Sequence, residues 1–222
     1  FKWSSNQAYW FINYFFHKNI PLQLKKFLNV TLFIIIRIVK TYFDIGGRKM
    51  DLKALFKISY GVYIISSKKE GKINGQTANT LFQITSDPAT VAISINKQNL
   101  THEFIEESGV FSASILSTDA PLNLIGKFGF KSGKDTNKFE GVNYKIGKTG
   151  SPIVLDNAVA YLEAEVINKL DAGTHTIFLG KIVDAEILSD KEPMTYAYYH
   201  EIKRGTTPKT APTYIKDEQR KD

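Results

Sequence analysis

The stretch that decides the fold reads Lys72-Ile-Asn-Gly-Gln-Thr-Ala-Asn-Thr-Leu-Phe-Gln-Ile-Thr-Ser-Asp-Pro-Ala-Thr-Val-Ala-Ile-Ser-Ile95. Asn74-Gly75, near its start, is a dipeptide typical of tight hairpin turns. Small polar residues follow over 76–80, and then two segments that alternate apolar and polar residues, 80–86 and 90–96, predict half-buried strands. Asp87-Pro88 separates these strands, because proline cannot donate to a central ladder. A strand that becomes small and hydroxyl-rich leaves room for a flat ligand.

The rest of the chain shows the same mixture of short strands, turns and short helices. Turn residues over 68–72 include Gly71, and residues 129–151 predict a long loop, rich in Gly, Lys and Asn. Further strands are predicted over residues 61–67, 110–117, 158–170 and 174–188, with an edge strand over 196–200. Short helices are predicted over residues 51–58, 101–109 and 119–128, the second beginning at Thr101 as its N-cap and ending at Gly109, before an irregular tail over 204–222. Without regular β–α alternation, this pattern predicts a mainly β fold, an antiparallel barrel with a few short α-helices.

Composition limits the chemistry that the chain can perform. The 222 residues are 43% apolar and contain no cysteine, which excludes disulfides, iron–sulfur clusters and thiolate zinc sites within this sequence. The absence of cysteine fits a cytoplasmic location. The four histidines, at positions 17, 102, 175 and 200, lack the close spacing of a zinc site, so no metal is predicted.

Residues 1–49 differ from the remainder. They hold eight Lys or Arg residues and one acidic residue, which accounts for the whole formal net charge of +7. The remaining chain is therefore neutral, and no nucleic-acid partner is predicted for it. The segment has no signal-peptide cleavage site, and its apolar window at 27–43 is shorter than the roughly 20 residues of a spanning helix. An anchor at the membrane surface stays open as an interpretation.

A third interpretation of residues 1–49 is translated upstream DNA. Gly46-Gly-Arg-Lys-Met50 can be encoded by a ribosome-binding site followed by a start codon. We therefore expect a non-native leader over 1–49 and a functional domain over 50–222, which has no predicted membrane segment. N-terminal sequencing of the natural protein tests this expectation.

Two motifs suggest catalysis or nucleotide binding and fail on inspection. Gly141-Val-Asn-Tyr-Lys-Ile-Gly-Lys-Thr149 resembles a P-loop, but five residues separate its glycines where the motif needs four. Ser94 and Lys97 match a Ser-x-x-Lys nucleophile pattern, but a strand places them on opposite faces. No Ser/His/Asp arrangement can be identified. Ligand binding is what remains.

Two segments have suitable chemistry for an extended anionic ligand. Residues 76–80 suit a narrow polar slot, although on the residues alone an ordinary polar strand is the simpler explanation. Residues 96–102 combine a lysine, amides and a hydroxyl at a predicted helix N-terminus, which favours anions. A plain helix cap explains this second segment equally well.

Several separated motifs between residues 51 and 215 occur in an order that is characteristic of one family. They are Gly61-Val-Tyr-Ile-Ile-Ser-Ser67, Asn74-Gly-Gln-Thr-Ala-Asn-Thr80, Ile84-Thr-Ser-Asp-Pro88, Asn96-Lys97, Phe128-Gly-Phe-Lys-Ser-Gly-Lys-Asp135, Lys138-Phe139, Thr174-His-Thr-Ile-Phe-Leu-Gly-Lys-Ile-Val183 and Ala211-Pro-Thr-Tyr214. Together they resemble the flavin reductase-like family of FMN-binding split barrels, close to the flavoredoxins and the NAD(P)H:flavin oxidoreductases.

The resemblance implies an antiparallel Greek-key split β-barrel that forms a homodimer, with FMN near the subunit interface. It implies that the isoalloxazine ring and ribityl chain lie along Gln76, Thr77, Ala78, Asn79 and Thr80. It places the ribityl–phosphate path along Ser94, Asn96, Lys97 and Thr101, and adds Lys131 as a phosphate residue that reaches across the dimer. It also places His175 toward the nicotinamide, with a strand histidine bonded to neighbouring backbone as the alternative.

The function that the resemblance implies is transfer of electrons from NAD(P)H to flavin. Such an enzyme needs no catalytic acid or nucleophile of its own, because the cofactor carries the chemistry. The alternative is a flavoredoxin-like FMN carrier that exchanges electrons with a partner protein, and a more distant one is a ligand-binding barrel without redox activity. The choice between NADH and NADPH stays open because no Rossmann fingerprint is present.

Overall fold

A computed structural model of the chain describes residues 51–214, so the predicted leader over 1–49 lies outside the described residues. The strands are β1 (Tyr63–Lys69), β2 (Lys72–Ala78), β3 (Leu81–Ser86), β4 (Ala89–Asn96), β5 (Val110–Leu116), β6 (Tyr144–Ile146), β7 (Pro152–Val154), β8 (Ala158–Ala172) and β9 (His175–Ile187). A 3-10 helix over Leu52–Lys57 precedes them, and the α-helices are α1 (Leu100–Ser108), α2 (Leu122–Gly129) and α3 (Tyr196–Glu201).

Seven strands form one antiparallel sheet in the order β2-β1-β5-β8-β9-β4-β3, and β6 pairs with β7 separately. The predicted mainly β, antiparallel architecture with few short helices is confirmed. Among residues 51–214, none of the helices has the length and apolar character needed to cross a membrane.

The core lies on both faces of the sheet. Ile64 and Ile65 are neighbours on β1 that point to opposite faces, and both are fully buried. Ile64 packs in a cluster with the side chains of α2 and α3, whereas Ile65 packs in a cluster that includes Phe111 and Phe178. Burial of one such side chain contributes about 1.5–3 kcal/mol. The two clusters fix the positions of the helices against β1.

The hairpin turn predicted at Asn74-Gly75 is wrong. Both residues lie inside β2, paired with Ser67 and Ser66 of β1, and the chain turns instead at Glu70 and Gly71, which have φ of 49° and 75°. Gly75 is needed for close packing, because a Cβ there would lie 2.7 Å from the Ser66 hydroxyl. The dipeptide therefore serves strand packing and not a turn.

The edge strand predicted over 196–200 is also wrong, because this segment forms helix α3. The Thr195 hydroxyl accepts a hydrogen bond from the Tyr198 N–H and caps the helix. At helical spacing, the Tyr196 ring lies 6.0 Å from that of Tyr199 and 4.4 Å from that of His200. Ring contacts between residues three and four positions apart form in a helix of about 3.6 residues per turn and not in a strand. They therefore outweigh the β propensity of tyrosine.

Three smaller predictions need correction. Thr101 lies buried in the first turn of α1, and the N-cap is Asn99. Gly109 ends α1 in the left-handed conformation, as predicted. The predicted loop over 129–151 contains strand β6, and β3 is largely exposed instead of half-buried, with Phe82 51% and Ile84 45% exposed.

Candidate functional site

A cavity of about 560 Å³ lies where β2, β4, the N-terminus of α1, the C-terminus of α2 and the tail after α3 meet. Its volume is within the range of small-molecule and cofactor sites. Most of the predicted site residues line it: Gln76, Thr77, Ala78, Asn79, Ser94, Asn96, Thr101 and Lys131. The fold thus brings the two segments chosen from the sequence to one cavity.

On the β2 side, the polar side chains differ in how they are bonded. The Thr77 hydroxyl donates to the Ile125 carbonyl at 2.8 Å, and the Asn79 amide donates to the Thr213 hydroxyl at 2.9 Å. The side-chain oxygen of Gln76 is buried, and no described residue donates to it. A buried acceptor without a donor is costly, so this oxygen suits a ligand N–H in the cavity.

The other end of the cavity suits an anion. Asn99, the N-cap of α1, makes no side-chain capping hydrogen bond, so the positive end of the helix faces the cavity without a side-chain cap. Lys131, Lys138 and Lys209 line the same cavity, and its described lining includes no Asp or Glu. The charge of the lining is therefore positive.

The loop after α2 lies against β2 and the N-terminus of α1, two of the elements that carry the site. The Asn74 amide donates to the Thr101 hydroxyl at 2.9 Å, which joins β2 to α1. A Cβ at Gly133 would lie 2.1 Å from the Asn74 side-chain oxygen, so a larger residue there would have to displace the Asn74 side chain. The loop can thus bring Lys131 to the cavity because residue 133 has no side chain.

Lys138 is a buried cation at this site. It is 6% exposed, and its Nζ donates to the Gly75 carbonyl at 2.9 Å and the Phe128 carbonyl at 3.1 Å. These carbonyls belong to β2 and to the last turn of α2. Burial lowers the pKa of Lys138 to about 8.

The tail after α3 forms one wall of the cavity, and polar side chains hold it there. The Asn96 amide donates to the Thr210 carbonyl at 3.2 Å. The Tyr196 hydroxyl bonds the hydroxyls of Thr207 at 2.6 Å and Thr213 at 2.9 Å. Through Asn79 and Asn96, both predicted site strands are therefore tied to the tail.

Three predicted site residues do not line the cavity. Thr80 donates to the Asn79 side chain at 3.2 Å, and the Lys97 ammonium pairs with Asp171 at 2.7 Å. His175 bonds the Thr210 carbonyl through Nε2 at 3.3 Å. Because a carbonyl only accepts, Nε2 carries the proton. Burial lowers the pKa of His175, and the bond to Thr210 partly offsets this.

Lys138 and the tail are parts of the cavity that were not predicted from the sequence as site residues. Lys138 belongs to the quoted Lys138-Phe139 motif, but nothing local in the sequence indicates that its side chain is buried. The tail had one usable signal, the Ala211-Pro-Thr-Tyr214 motif, which lines the cavity through Ala211, Pro212 and Tyr214.

Comparisons with known proteins agree on one family. The family model described as flavin reductase like domain matches residues 55–206. The chain is similar to the ferric-chelate reductase (NAD(P)H) of Archaeoglobus fulgidus, 51% identical over 166 residues that cover 75% of this chain and 98% of that protein. It is also similar to the high molecular weight rubredoxin of Moorella thermoacetica, 59% identical over 165 residues that cover 74% of this chain and 72% of that protein.

The solved structures show the same fold. The NADH:FAD oxidoreductase SgcE6 of Streptomyces globisporus C-1027 matches with a TM-score of 0.61 and 25% identity. The match covers 66% of this chain and 87% of that one. This likeness supports the split-barrel prediction.

Proposed function

The chain belongs to the flavin reductase like domain family, and we propose that it is an NAD(P)H-dependent flavin oxidoreductase whose cavity binds FMN. One observation carries the proposal: the described lining of the cavity has three lysines and no acidic residue. A phosphate with nearly two negative charges suits this lining and the uncapped N-terminus of α1. When bound, the flavin supplies the redox chemistry by taking electrons from NAD(P)H and passing them to an acceptor.

The residues of this chain hold and orient the cofactor. We propose that Gln76, Thr77, Ala78 and Asn79 lie along the ring and ribityl chain, where the unbonded oxygen of Gln76 accepts a ring N–H. We propose that the phosphate lies toward the N-terminus of α1 and Lys131. The tail closes one side of the cavity, which limits the access of water to the ring.

Absorbance spectroscopy tests the proposal. Purified full-length protein, supplied with FMN and freed of excess, is expected to show the absorbance bands of bound flavin. Under anaerobic conditions, NADH or NADPH is expected to bleach these bands within seconds to minutes. A preparation that retains no flavin, or whose flavin neither nucleotide reduces, contradicts the proposed reductase.

The second candidate is an FMN carrier that exchanges electrons with a partner protein. The similarity to a protein named high molecular weight rubredoxin favours it, because that name denotes an iron-containing electron-transfer protein. Bleaching by a reduced protein donor, with none by NADH or NADPH, is the result that identifies a carrier.

A matched pair of variants tests the proposed phosphate end. Lys131→Ala is expected to weaken FMN binding about tenfold and to leave riboflavin binding unchanged, because riboflavin has no phosphate. Lys97→Ala is the variant for comparison. The resemblance places Lys97 on the phosphate path, whereas in the structure Lys97 pairs with Asp171 and does not line the cavity. If only Lys97→Ala weakens FMN binding, the proposed phosphate position is wrong.

We also propose that the protein is a homodimer, as the resemblance implies. The exposed Phe82 and Ile84 on β3, at the end of the sheet, give a second copy an apolar surface to cover. Light scattering coupled to gel filtration is expected to give twice the mass of the chain, and Phe82→Glu is expected to lower it. The leader over 1–49 and the cytoplasmic location remain predictions from the sequence.

A further inference from the structure

Lys138 is a buried ammonium without a counter-ion among the described residues. Its two hydrogen bonds go to neutral carbonyls, those of Gly75 and Phe128. No carboxylate of residues 51–214 lies within ion-pair distance of it. An unpaired charge in the interior costs several kcal/mol, so proteins rarely keep one without use.

The environment of Lys138 does not supply the missing charge. The charged side chains around it line the groove on its outer side: Lys69, Glu70 and Lys72 from β1, β2 and their turn, Glu103 from α1, and Lys134, Asp135 and Glu140 from its own loop. On the inner side, the cavity adds Lys131 and Lys209. Burial alone accounts for the lowered pKa of Lys138.

A purely structural role for Lys138, linking β2 to α2, would explain its two hydrogen bonds but not its charge. A neutral amide can donate to both carbonyls without the desolvation of an ammonium. Lys138 also lines the cavity that we assign to FMN, as does Phe128, one of its two carbonyl partners, while Gly75 lies between the lining residues Asn74 and Gln76. The charge is therefore placed where an anionic ligand can use it.

We propose that Lys138 is the buried counter-charge for the flavin nucleotide, facing an anionic oxygen of either the phosphate or the pyrimidine edge of the ring. This inference rests on the proposed function. Both sources present the same chemistry to the ammonium, an oxygen with negative charge in a site of low dielectric. Lys138 thus adds a second binding residue on the loop after α2, besides Lys131 and the residues on β2.

Affinity measurements separate the two sources. Lys138→Gln keeps a hydrogen-bond donor and removes the charge, and the exposed Lys134→Gln on the same loop is the matched control. If Lys138 faces the phosphate, Lys138→Gln weakens FMN binding about tenfold or more and spares riboflavin. If it faces the ring, the variant lowers the midpoint potential of the bound flavin, and Lys134→Gln leaves both quantities unchanged.

A second measurement reads the titration of Lys138 in the wild-type protein and uses the Lys138→Gln variant only to assign its resonance. Reductive methylation with ¹³C-formaldehyde labels the lysines, and the resonance missing from Lys138→Gln identifies Lys138. Its pKa is expected near 8 in the flavin-free protein and higher after FMN is added, because a nearby negative charge favours the ammonium.

Two results overturn the inference. The first is a Lys138→Gln variant whose FMN affinity, riboflavin affinity and midpoint potential all equal those of the wild type. The second is a Lys138 pKa that stays constant or falls when FMN binds. Failure of the wild-type protein to bind any flavin is a different result, because it contradicts the proposed function itself.

Discussion

The lowered pKa of Lys138 predicts that its contribution to the stability of the flavin-free protein rises as the pH increases from about 8 to 9.5. Burial lowers this pKa from 10.5 to about 8. Between these two values the unfolded chain keeps a proton on Lys138 that the folded protein has released. Stability rises with pH wherever the unfolded state binds more protons, so the slope is positive.

The magnitude follows from the same pKa values. The difference between the Lys138 pKa values of the unfolded and folded states contributes about 3.4 kcal/mol to the free energy of unfolding once the pH exceeds 10.5. Below pH 8 both states are protonated and the contribution has no slope. Each pH unit above 8 adds about 1.4 kcal/mol, so the wild type gains about 2 kcal/mol between pH 7 and pH 9.5 from this residue alone.

Urea unfolding of the wild type and of Lys138→Met, measured without flavin at several pH values, isolates the contribution. All the other charged groups around Lys138 are present in both proteins, so their titration cancels in the difference between the two free energies. We expect this difference to change by about 2 kcal/mol in favour of the wild type as the pH rises to 9.5. Lys138→Gln serves the same purpose if the methionine variant does not fold.

A difference that is constant with pH would refute the reasoning, because it would mean that Lys138 titrates normally in the folded protein. A difference that changes in favour of the variant would show a raised pKa and thus an undetected carboxylate partner. Lys134, an exposed lysine on the loop that carries Lys138, provides the control: Lys134→Met, measured in the same way, shows how much of the pH dependence comes from replacing any lysine with methionine.

Three further variants test other parts of the structure. Glu163→Gln is expected to destabilise the protein by about 1–3 kcal/mol, because the buried Glu163 carboxylate accepts hydrogen bonds from the N–H and hydroxyl of Thr149. The melting temperature measures this loss, and an unchanged value would contradict the role of Glu163. Gly133→Ala is expected to weaken FMN binding, since the new Cβ would overlap the Asn74 oxygen at 2.1 Å, whereas wild-type affinity would show that the loop moves freely. Tyr196→Phe is expected to speed amide hydrogen exchange in the tail without affecting the sheet, because two hydrogen bonds to tail threonines are lost; unchanged exchange would mean that other contacts hold the tail.

The longest strands of this protein were predictable because their alternation of apolar and polar residues extends over many positions. Residues 158–170 and 174–188 gave β8 and β9 to within a few positions. The polar slot at 76–80 came from the family resemblance and not from the residues alone, which fit an ordinary polar strand; Gln76, Thr77, Ala78 and Asn79 line the cavity and Thr80 does not. The place of Asn74-Gly75 inside β2 was not predictable, because the packing of Gly75 against Ser66 involves a residue of another strand.

The burial of Lys138 could not be predicted for a similar reason. The sequence shows a lysine in a polar loop, and such lysines are usually exposed. Its burial depends on contacts with Gly75 and Phe128, the first of which is 63 residues away along the chain. The tail is comparable: its role depends on Asn79 and Asn96, which meet it only after the sheet has formed. Contacts of this kind are properties of the fold and not of any local pattern.

In the segment that resembles a P-loop, backbone N–H groups donate to an anion, but they do so for a purely structural purpose. The Lys148 and Thr149 N–H groups donate to the Glu163 carboxylate at 2.8 and 3.1 Å, and Gly147 lies so close to that carboxylate that a Cβ there would be 2.2 Å from it. The anion that this loop binds is therefore part of the chain.

The cavity differs from this loop in the source of its negative charge. Its lysines and the uncapped N-terminus of α1 also favour an anion, yet its described lining contains no carboxylate that plays the part of Glu163. A positive site that the protein leaves uncompensated is destabilising until a ligand supplies the charge. Hence adding phosphate, riboflavin and FMN separately should raise the melting temperature in that order, because FMN alone combines the anion with the ring. Equal stabilisation by phosphate and FMN would show that the cavity recognises only the anion.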